Sequence, residues 1–220
     1  MDAHFWHARW REERIGFHEG VTNRHLSQYW SELGLQSGSS VLVPLCGKAV
    51  DMATLHHMGH QVVGVEISEI ACRAFFDEQA LPFDVQTHGE HDIYRGVDAG
   101  AGLTIWCGDF VTAEFESPMD AVFDRAALIA VGHEQREAYV KHIANHLKPG
   151  APGLLVSIDY PPSEKAGPPF TIPQEEVESL LNESFALKKL SDEDVLLRER
   201  ADKRWGLSAL REQVYRIKKR

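Results

Sequence analysis

The chain has 220 residues, which is enough for a single domain with a full hydrophobic core. Its 33 acidic side chains outnumber 23 basic ones, the net charge is −10 and the basic residues are scattered, so we expect no nucleic-acid partner. No stretch approaches the roughly 20 apolar residues of a membrane span, and residues 1–14 lack the apolar core of a signal peptide. We therefore expect a cytoplasmic protein with no membrane partner.

The N-terminal segment, residues 1–35, is predicted to form a helical cap. Residues 4–33 are mostly helical by pattern and rich in aromatic and basic side chains. Trp6 and Trp10 are four residues apart and so share one face of a helix. Two interpretations stay open: the aromatic rings pack on the sheet, or the segment closes over a ligand as a lid. In the second, Phe17 is a candidate ligand contact.

Residues 40–66 have the pattern of a βαβ unit. Residues 41–45 are apolar throughout, as expected of a strand buried on both faces of a parallel sheet. A crossover helix is predicted over 51–58 and a second buried strand over 62–65. Glu66 then stands at the carboxyl end of that strand, where open α/β sheets bind ligands and an acid often holds the two hydroxyls of a ribose. A solvated acid is the alternative.

The rest of the chain alternates between predicted helices and strands. Residues 83–94 are ambiguous between short strands and a loop, and residues 192–203 are uncertain. The proline-rich residues 161–173 are long enough to cover a cleft. Helices are predicted over 69–79, 134–147 and 173–182, and strands over 103–107, 120–125, 153–160, 185–190 and 210–217.

This order of elements predicts an α/β fold with a doubly wound, mostly parallel seven-stranded sheet of the class I methyltransferase type, and the pattern alone also fits a dehydrogenase. We expect one domain, with an α/β core over residues 40–220 behind the helical cap. The turn at Cys46-Gly47-Lys48 has a single glycine, so it is neither G-x-G-x-x-G nor a P-loop. NAD and nucleoside triphosphates are therefore disfavoured, and a nucleoside with a cation in place of phosphates, S-adenosylmethionine, fits better.

Two polar residues follow predicted strands. Asp109 can accept a hydrogen bond from an adenine amino group or cap the turn that follows. Arg125 is placed where the sheet opens, and its alternative is a structural ion pair with Asp124 or Glu134.

A metal site is not expected. His88 and His91 are the best candidate pair, but their segment contains glycine and offers no third ligand at a telling distance. The three cysteines are widely spaced, which disfavours both disulfides and C-x-x-C sites.

Several stretches together resemble the thiopurine S-methyltransferase family in its bacterial form. The match spans nearly the whole chain, and PLCGK-x-x-D-M followed by G-x-x-V-x-G-V-E is specific among methyltransferases. The matching stretches are W-x-x-R-W-x₅-G-F-H at 6–18, VPLCGKAVDM at 43–52, GHQVVGVEIS at 59–68, FDRAAL at 123–128, GPPF at 167–170 and RWG at 204–206.

The resemblance implies a set of site residues. Phe17 would stack on a flat substrate, and Arg125 would position the substrate and stabilise its thiolate. Arg200, shortly before Trp205, is a candidate second arginine. The implied contacts to S-adenosylmethionine are Trp10, Leu45, Glu66, Asp109, Phe110 and Arg125.

The implied activity is in-line methyl transfer to the sulfur of thiopurines and other aromatic or heterocyclic thiols. Because a thiolate is a strong nucleophile, neither a catalytic triad nor a metal is expected. We expect a monomer whose partner is a small-molecule thiol. Methylation of selenium or tellurium species shares this chemistry and stays open as the natural role. A non-catalytic nucleoside-binding module and, more distantly, a nicotinamide dehydrogenase are the alternatives from other classes.

Overall fold

The computed structural model describes residues 3–220. The chain divides into two units, Met1–Phe123 and Asp124–Arg220, which are described in turn. The organisation as a single domain stays a prediction. Among the described residues, no helix is both long enough and apolar enough to cross a membrane.

The first unit holds four α-helices and the first six strands. The helices are α1 (Ala3–Arg11), α2 (Arg24–Tyr29), α3 (Val50–His57) and α4 (Glu69–Glu78). The strands are β1 (Ser40–Val43), β2 (Gln61–Glu66), β3 (Phe83–His88), β4 (His91–Gly96), β5 (Leu103–Cys107) and β6 (Ala121–Arg125), the last of which ends beyond the unit boundary.

The strands of this unit lie in the order β3-β4-β5-β2-β1-β6. β1 pairs in parallel with β2 and β6, and β2 pairs in parallel with β5, whereas β3, β4 and β5 are joined by antiparallel pairings. The sheet is therefore mixed. Its parallel strands β1, β2 and β5 carry their carboxyl ends to one edge.

The predicted βαβ unit is present as β1, α3 and β2. Val41 and Leu42 of β1 and Val62 and Val65 of β2 are fully buried, as their unbroken apolar runs predict. Each such side chain stabilises the fold by about 1.5–3 kcal/mol. This rigid unit positions the turn that follows β1 and the acid that ends β2.

Nine strands occur within residues 3–220, where the sequence pattern predicts seven. The two additional strands are β3 and β4, a hairpin that begins in the ambiguous residues 83–94. β3 is exposed along nearly its whole length, and its apolar alternation is limited to Phe83 and Val85, which is too short to predict a half-buried strand.

The N-terminal segment is helical only at its two ends. α1 stops at Arg11, and α2 starts after Asn23, whose side-chain oxygen accepts a hydrogen bond from the backbone N–H of His25 (3.0 Å). Asn at an N-cap satisfies an otherwise unpaired donor, and this fixes the start of α2. Residues 12–23 therefore form a connection and not a helix.

The second unit contains α5 (Arg136–Asn145), β7 (Pro152–Asp159), α6 (Gln174–Leu181), β8 (Phe185–Asp194), α7 (Ala201–Arg204) and β9 (Arg211–Lys219). β9 lies between β7 and β8 and is antiparallel to both. A buried cluster that includes Tyr160, Val195 and Leu207 packs beside Trp205. The predicted elements of this half are all present, with β8 four residues longer than expected because its charged end stays paired with β9.

Candidate functional site

The turn after β1 has an unusual backbone. Leu45 has a φ of +45°, in the left-handed region that residues with a side chain rarely adopt. The Cys46 N–H donates to the carbonyl of Val65 at 2.9 Å, which ties this turn to β2. Such conformations cost about 1–3 kcal/mol and cluster at functional sites, where the surrounding structure holds them in place.

Glu66 lies beside this turn and is 5% exposed. Its Oε2 accepts the Gly47 N–H at 2.9 Å, and its Oε1 accepts the Ser68 N–H at 2.8 Å. Burial raises the pKa of Glu66 to about 7, although these backbone bonds act in the opposite direction. A buried carboxylate with acceptor capacity left on both oxygens suits a ligand that offers two hydroxyl groups.

Trp10 covers the same turn and is 5% exposed. A Cβ atom placed on Gly47 would stand 3.2 Å from its Cζ2, so the absence of a side chain at Gly47 is what lets the indole lie this close. Phe17 meets the Trp10 ring edge to face at 5.6 Å and the Trp6 ring at 5.5 Å. The structure thus brings the predicted Trp10, Phe17, Leu45 and Glu66 into one neighbourhood.

Asp109 and Phe110 follow β5 at the same edge. The Asp109 carboxylate accepts the Val111 N–H at 3.2 Å, so its side chain caps the turn. Phe110 is 1% exposed and belongs to the buried core. The Gly108 N–H donates to the carbonyl of Glu66 at 2.9 Å, which joins this turn to the end of β2.

Arg125 belongs to the second unit and ends β6 as a half-buried residue. The next residue, Ala126, has a φ of +60°, a second left-handed position without glycine. Asp124 is buried, and its carboxylate accepts the Leu128 N–H at 3.0 Å and the Tyr139 hydroxyl at 2.8 Å. Burial raises the pKa of Asp124 to about 6, against the effect of these bonds.

Arg200 is exposed and has a φ of +52° at the start of α7. Its proposed role as a second arginine stays a prediction. The nearby Arg198 forms ion pairs with Glu193, Glu199 and Glu212.

Comparison with known proteins identifies the family. The family model for thiopurine S-methyltransferase matches residues 1–220. The thiopurine S-methyltransferase of Azotobacter vinelandii is 43% identical over 222 residues, and that of Shewanella oneidensis is 37% identical over 222 residues, each alignment covering 100% of both chains. This chain belongs to the thiopurine S-methyltransferase family.

Solved structures give the fold of this thiopurine S-methyltransferase family member. A structure from work on the conversion of a disulfide bond into a thioacetal group during echinomycin biosynthesis matches with a TM-score of 0.70 and 17% identity, covering 100% of this chain and 92% of that chain. The 1,6-didemethyltoxoflavin-N1-methyltransferase of Burkholderia thailandensis, with S-adenosylhomocysteine bound, matches with a TM-score of 0.65 and 16% identity over 97% of this chain and 86% of that one. The predicted class I methyltransferase fold is confirmed.

The proline-rich loop contacts the segment around Trp205 within the second unit. The Lys165 ammonium of the loop lies 5.7 Å from the Trp205 ring centre, and Glu164 accepts hydrogen bonds from the hydroxyl and N–H of Ser208 at 2.5 and 2.8 Å. Residues 164 and 165, just before the G-P-P-F motif, therefore attach the loop to residues 205–208.

Arg136 is a residue that sequence reasoning missed. Its buried guanidinium donates to the carbonyls of Val131 at 3.1 Å and Thr171 at 3.3 Å and pairs with Glu176. It thereby links the chain after β6 to the proline-rich loop. Its position in the first turn of α5 looks like that of any surface arginine, so the sequence carries no signal for it.

The histidine pair considered for zinc has a different use. His91 bonds to the carbonyl of Asp109, and His88 is exposed. Within residues 3–220, no group of three or more histidine, cysteine or acidic side chains is arranged to hold a metal ion.

Proposed function

We propose that this chain transfers the methyl group of S-adenosylmethionine to the sulfur of thiopurines and other aromatic thiols. Membership of the family over residues 1–220 supports this activity. The observation that carries it is the arrangement of Glu66, buried at the carboxyl end of β2, under a single-glycine turn that Trp10 covers. The residues proposed to contact the cofactor are Trp10, Leu45, Glu66, Asp109, Phe110 and Arg125.

The residues at this edge fit a nucleoside without phosphates. Glu66 Oε2 accepts the Gly47 N–H and Oε1 accepts the Ser68 N–H, and the lone pairs of a carboxylate leave capacity for ribose hydroxyls. The Gly47 N–H donates to Glu66, so this glycine is committed to a carboxylate and not to a pyrophosphate. When bound, S-adenosylmethionine supplies an electrophilic methyl group on a sulfonium cation.

The aromatic residues keep the site dry. An anionic sulfur that attacks a cation loses charge in the transition state, so exclusion of water by Trp10 and Phe17 favours the reaction. Phe17 is the proposed stacking partner for a flat acceptor, and the Trp10 face can interact with the positive charge. Alignment of the two reactants supplies most of the remaining acceleration.

Arg125 is proposed to favour the ionised acceptor. A permanent cation beside a thiol lowers the pKa of that thiol, so the proton leaves to water before sulfur attacks carbon. The same charge stabilises the reactant thiolate more than the neutralised transition state. Arg125 therefore contributes to binding and deprotonation and not to the chemical step.

A methyl-transfer screen tests the proposed function. The protein is mixed with methyl-labelled S-adenosylmethionine and, separately, a thiopurine, an aromatic thiol, selenite and tellurite. We expect labelled S-methyl products from the thiopurine and the aromatic thiol, and Glu66→Ala serves as the inactive control. Transfer to selenite or tellurite alone would assign the activity to those species. Cofactor binding without transfer to any acceptor would favour a non-catalytic nucleoside-binding module.

A further inference from the structure

His91 begins β4 and is 4% exposed, although it lies at a hairpin. The antiparallel pairing of Asp92 with Cys107 places the start of β4 beside the carboxyl end of β5. The imidazole therefore reaches the Gly108-Asp109 turn, the segment expected to face the base of the cofactor.

The His91 ring packs directly on Gly108. A Cβ atom added to Gly108 would stand 2.3 Å from the ring Cδ2, a distance that no side chain tolerates. The ring also meets Trp106 edge to face, with 5.6 Å between centres. The His91 ring therefore occupies the space that a side chain at position 108 would need.

His91 also bonds to the turn. Its Nε2 lies 3.0 Å from the carbonyl oxygen of Asp109, and because a carbonyl only accepts, Nε2 must carry the proton. The Thr112 hydroxyl and N–H donate to the same oxygen at 3.1 and 3.2 Å. In a trans peptide the C=O and N–H point in opposite directions, so this anchoring also fixes the direction of the Phe110 N–H.

We propose that His91 is a positioning residue that sets the Gly108-Asp109 turn for recognition of the adenine base. The Gly108 N–H bonds to the Glu66 carbonyl, and the Asp109 carbonyl bonds to His91. These bonds fix the Gly108-Asp109 turn, which we propose faces the adenine, relative to Glu66, which we propose binds the ribose. This inference rests on the proposed function, because it needs an adenine nucleoside at this edge. It accounts for a histidine that the sequence offers as a zinc ligand.

The test measures base discrimination. Dissociation constants are determined by calorimetry for S-adenosylhomocysteine and for S-inosylhomocysteine, in which oxygen replaces the adenine amino group. For His91→Leu we expect affinity for S-adenosylhomocysteine to fall about tenfold, as loss of one buried hydrogen bond predicts, while S-inosylhomocysteine is affected much less. The KM for S-adenosylmethionine rises in parallel, and kcat at saturation stays within about twofold.

His91→Gln retains an N–H donor of similar reach and is expected to restore most of the discrimination. His88→Leu is the matched control, since His88 lies on the same hairpin and also contacts Trp106 but is exposed. We expect the His88→Leu variant to bind both nucleosides with the wild-type affinity. If His91→Leu does not fold, His91→Phe, which keeps a flat ring against Gly108 and Trp106 but has no N–H donor, is expected to give the same loss of discrimination.

The outcomes separate this inference from the proposed function. Wild-type protein that binds neither nucleoside would overturn the proposed function and the role of His91 with it. Wild-type binding together with an unchanged preference for adenine in the foldable variant would overturn only the role of His91. An equal loss of affinity for both nucleosides would reduce His91 to a structural residue and overturn the assignment.

Discussion

Glu66 is a buried acid at the carboxyl end of β2, where we propose that it binds the ribose. Its carboxylate is bonded by two backbone N–H groups, yet burial still raises its pKa to about 7. Hydroxyl donors of a bound ribose favour the ionised form, so ligand binding must lower this pKa. The affinity for a nucleoside therefore depends on pH.

We predict that the dissociation constant of S-adenosylhomocysteine is flat above pH 7 and rises about tenfold per unit as the pH falls below it. Binding below this pH releases a proton. Calorimetry in buffers with different ionisation enthalpies measures both the dissociation constant and the number of protons released.

Glu66→Gln is the control for this dependence, and its weaker binding is expected to be independent of pH over the same range. The unliganded proteins give a second readout. Since the pKa rises from 4.5 to about 7, Glu66 favours folding most below pH 4.5, and this contribution is lost as the pH rises through 7. We expect the free energy of unfolding of Glu66→Gln to lack this decline between pH 4.5 and 7. The same decline in the wild type and the variant would contradict the raised pKa of Glu66.

For Arg125→Lys we predict a defect that depends on acceptor ionisation. Lysine keeps the charge but loses the planar fork of donors, so thiolate stabilisation weakens. At a pH below the acceptor's pKa we expect single-turnover rates to fall about tenfold, the effect of one unit of pKa. With the acceptor fully ionised, the rate returns to within about twofold of wild type.

Arg198→Lys is the matched control, because Arg198 is engaged with three surface glutamates. A defect in Arg125→Lys that persists with the ionised acceptor would place Arg125 in the chemical step.

The sequence predicted the place of some candidate site residues in the fold but not the contacts of others. Glu66 was recognisable because an acid that ends a buried strand has a defined place in the sheet. The contacts of His91 and Arg136 were not predictable, since their partners are the carbonyls of Asp109, Val131 and Thr171. Every residue has a carbonyl, so such bonds depend on strand register and loop path, which leave no mark on side-chain pattern.

Among the elements, the N-terminal segment over the turn after β1 is the one that we propose acts as a lid. We define the cover segment as residues 3–22. At its end, the Asn23 N–H donates to the Asp51 carboxylate at 2.7 Å, and the Thr22 and Thr54 hydroxyls bond at 2.6 Å. These two hydrogen bonds attach the C-terminal end of the cover segment to α3.

We predict that trypsin cleaves the ligand-free protein at the exposed Arg11 and Arg14 and that S-adenosylhomocysteine protects both sites. The reason is that a ligand beneath Trp10 adds contacts that hold the cover segment closed. Cleavage rates are followed by mass spectrometry, and equal cleavage with and without ligand would exclude a lid.

Asp51→Ala is expected to raise ligand-free cleavage by tenfold or more, since a hydrogen bond to a charged group contributes about 1.5–3 kcal/mol. Glu175→Ala is the matched control, being an acid in the first turn of α6, and is expected to leave cleavage unchanged.

The elements differed in how well their patterns predicted them. β1, α3 and β2 were found because buried parallel strands are continuous apolar runs between turn residues. β3 and the charged end of β8 were not, as exposed strands of polar residues are held by backbone pairing with neighbours. That pairing is a tertiary property and is invisible in a local window.

For the whole molecule, ligand binding and stability are linked. We predict that S-adenosylhomocysteine at 100 times its dissociation constant stabilises the protein by about 2.7 kcal/mol. For a chain of this size, this corresponds to an increase in Tm of about 5–10 °C. Differential scanning fluorimetry measures the increase in Tm, and for Glu66→Ala we expect a clearly smaller increase at the same ligand concentration. A wild-type Tm that does not move would contradict the proposed site.

The family was predictable from the sequence because its motifs lie in turns with specific backbone requirements. P-L-C-G-K contains the left-handed Leu45 and the Gly47 that contacts Trp10, and F-D-R-A-A-L contains the buried Asp124 and the left-handed Ala126. Such positions accept few residue types. The number of strands was harder to predict, since it depends on exposed segments that many sequences can form.

The contact between Trp10 and Gly47 also restricts how this protein can change over evolutionary time. With only 3.2 Å between the indole and the place of a Cβ at position 47, a larger residue there requires the ring to shift by a few tenths of an ångström. The φ of +54° at Gly47 adds backbone strain to any such substitution. Position 47 is therefore constrained both by its own backbone and by a residue that 36 residues separate from it along the chain.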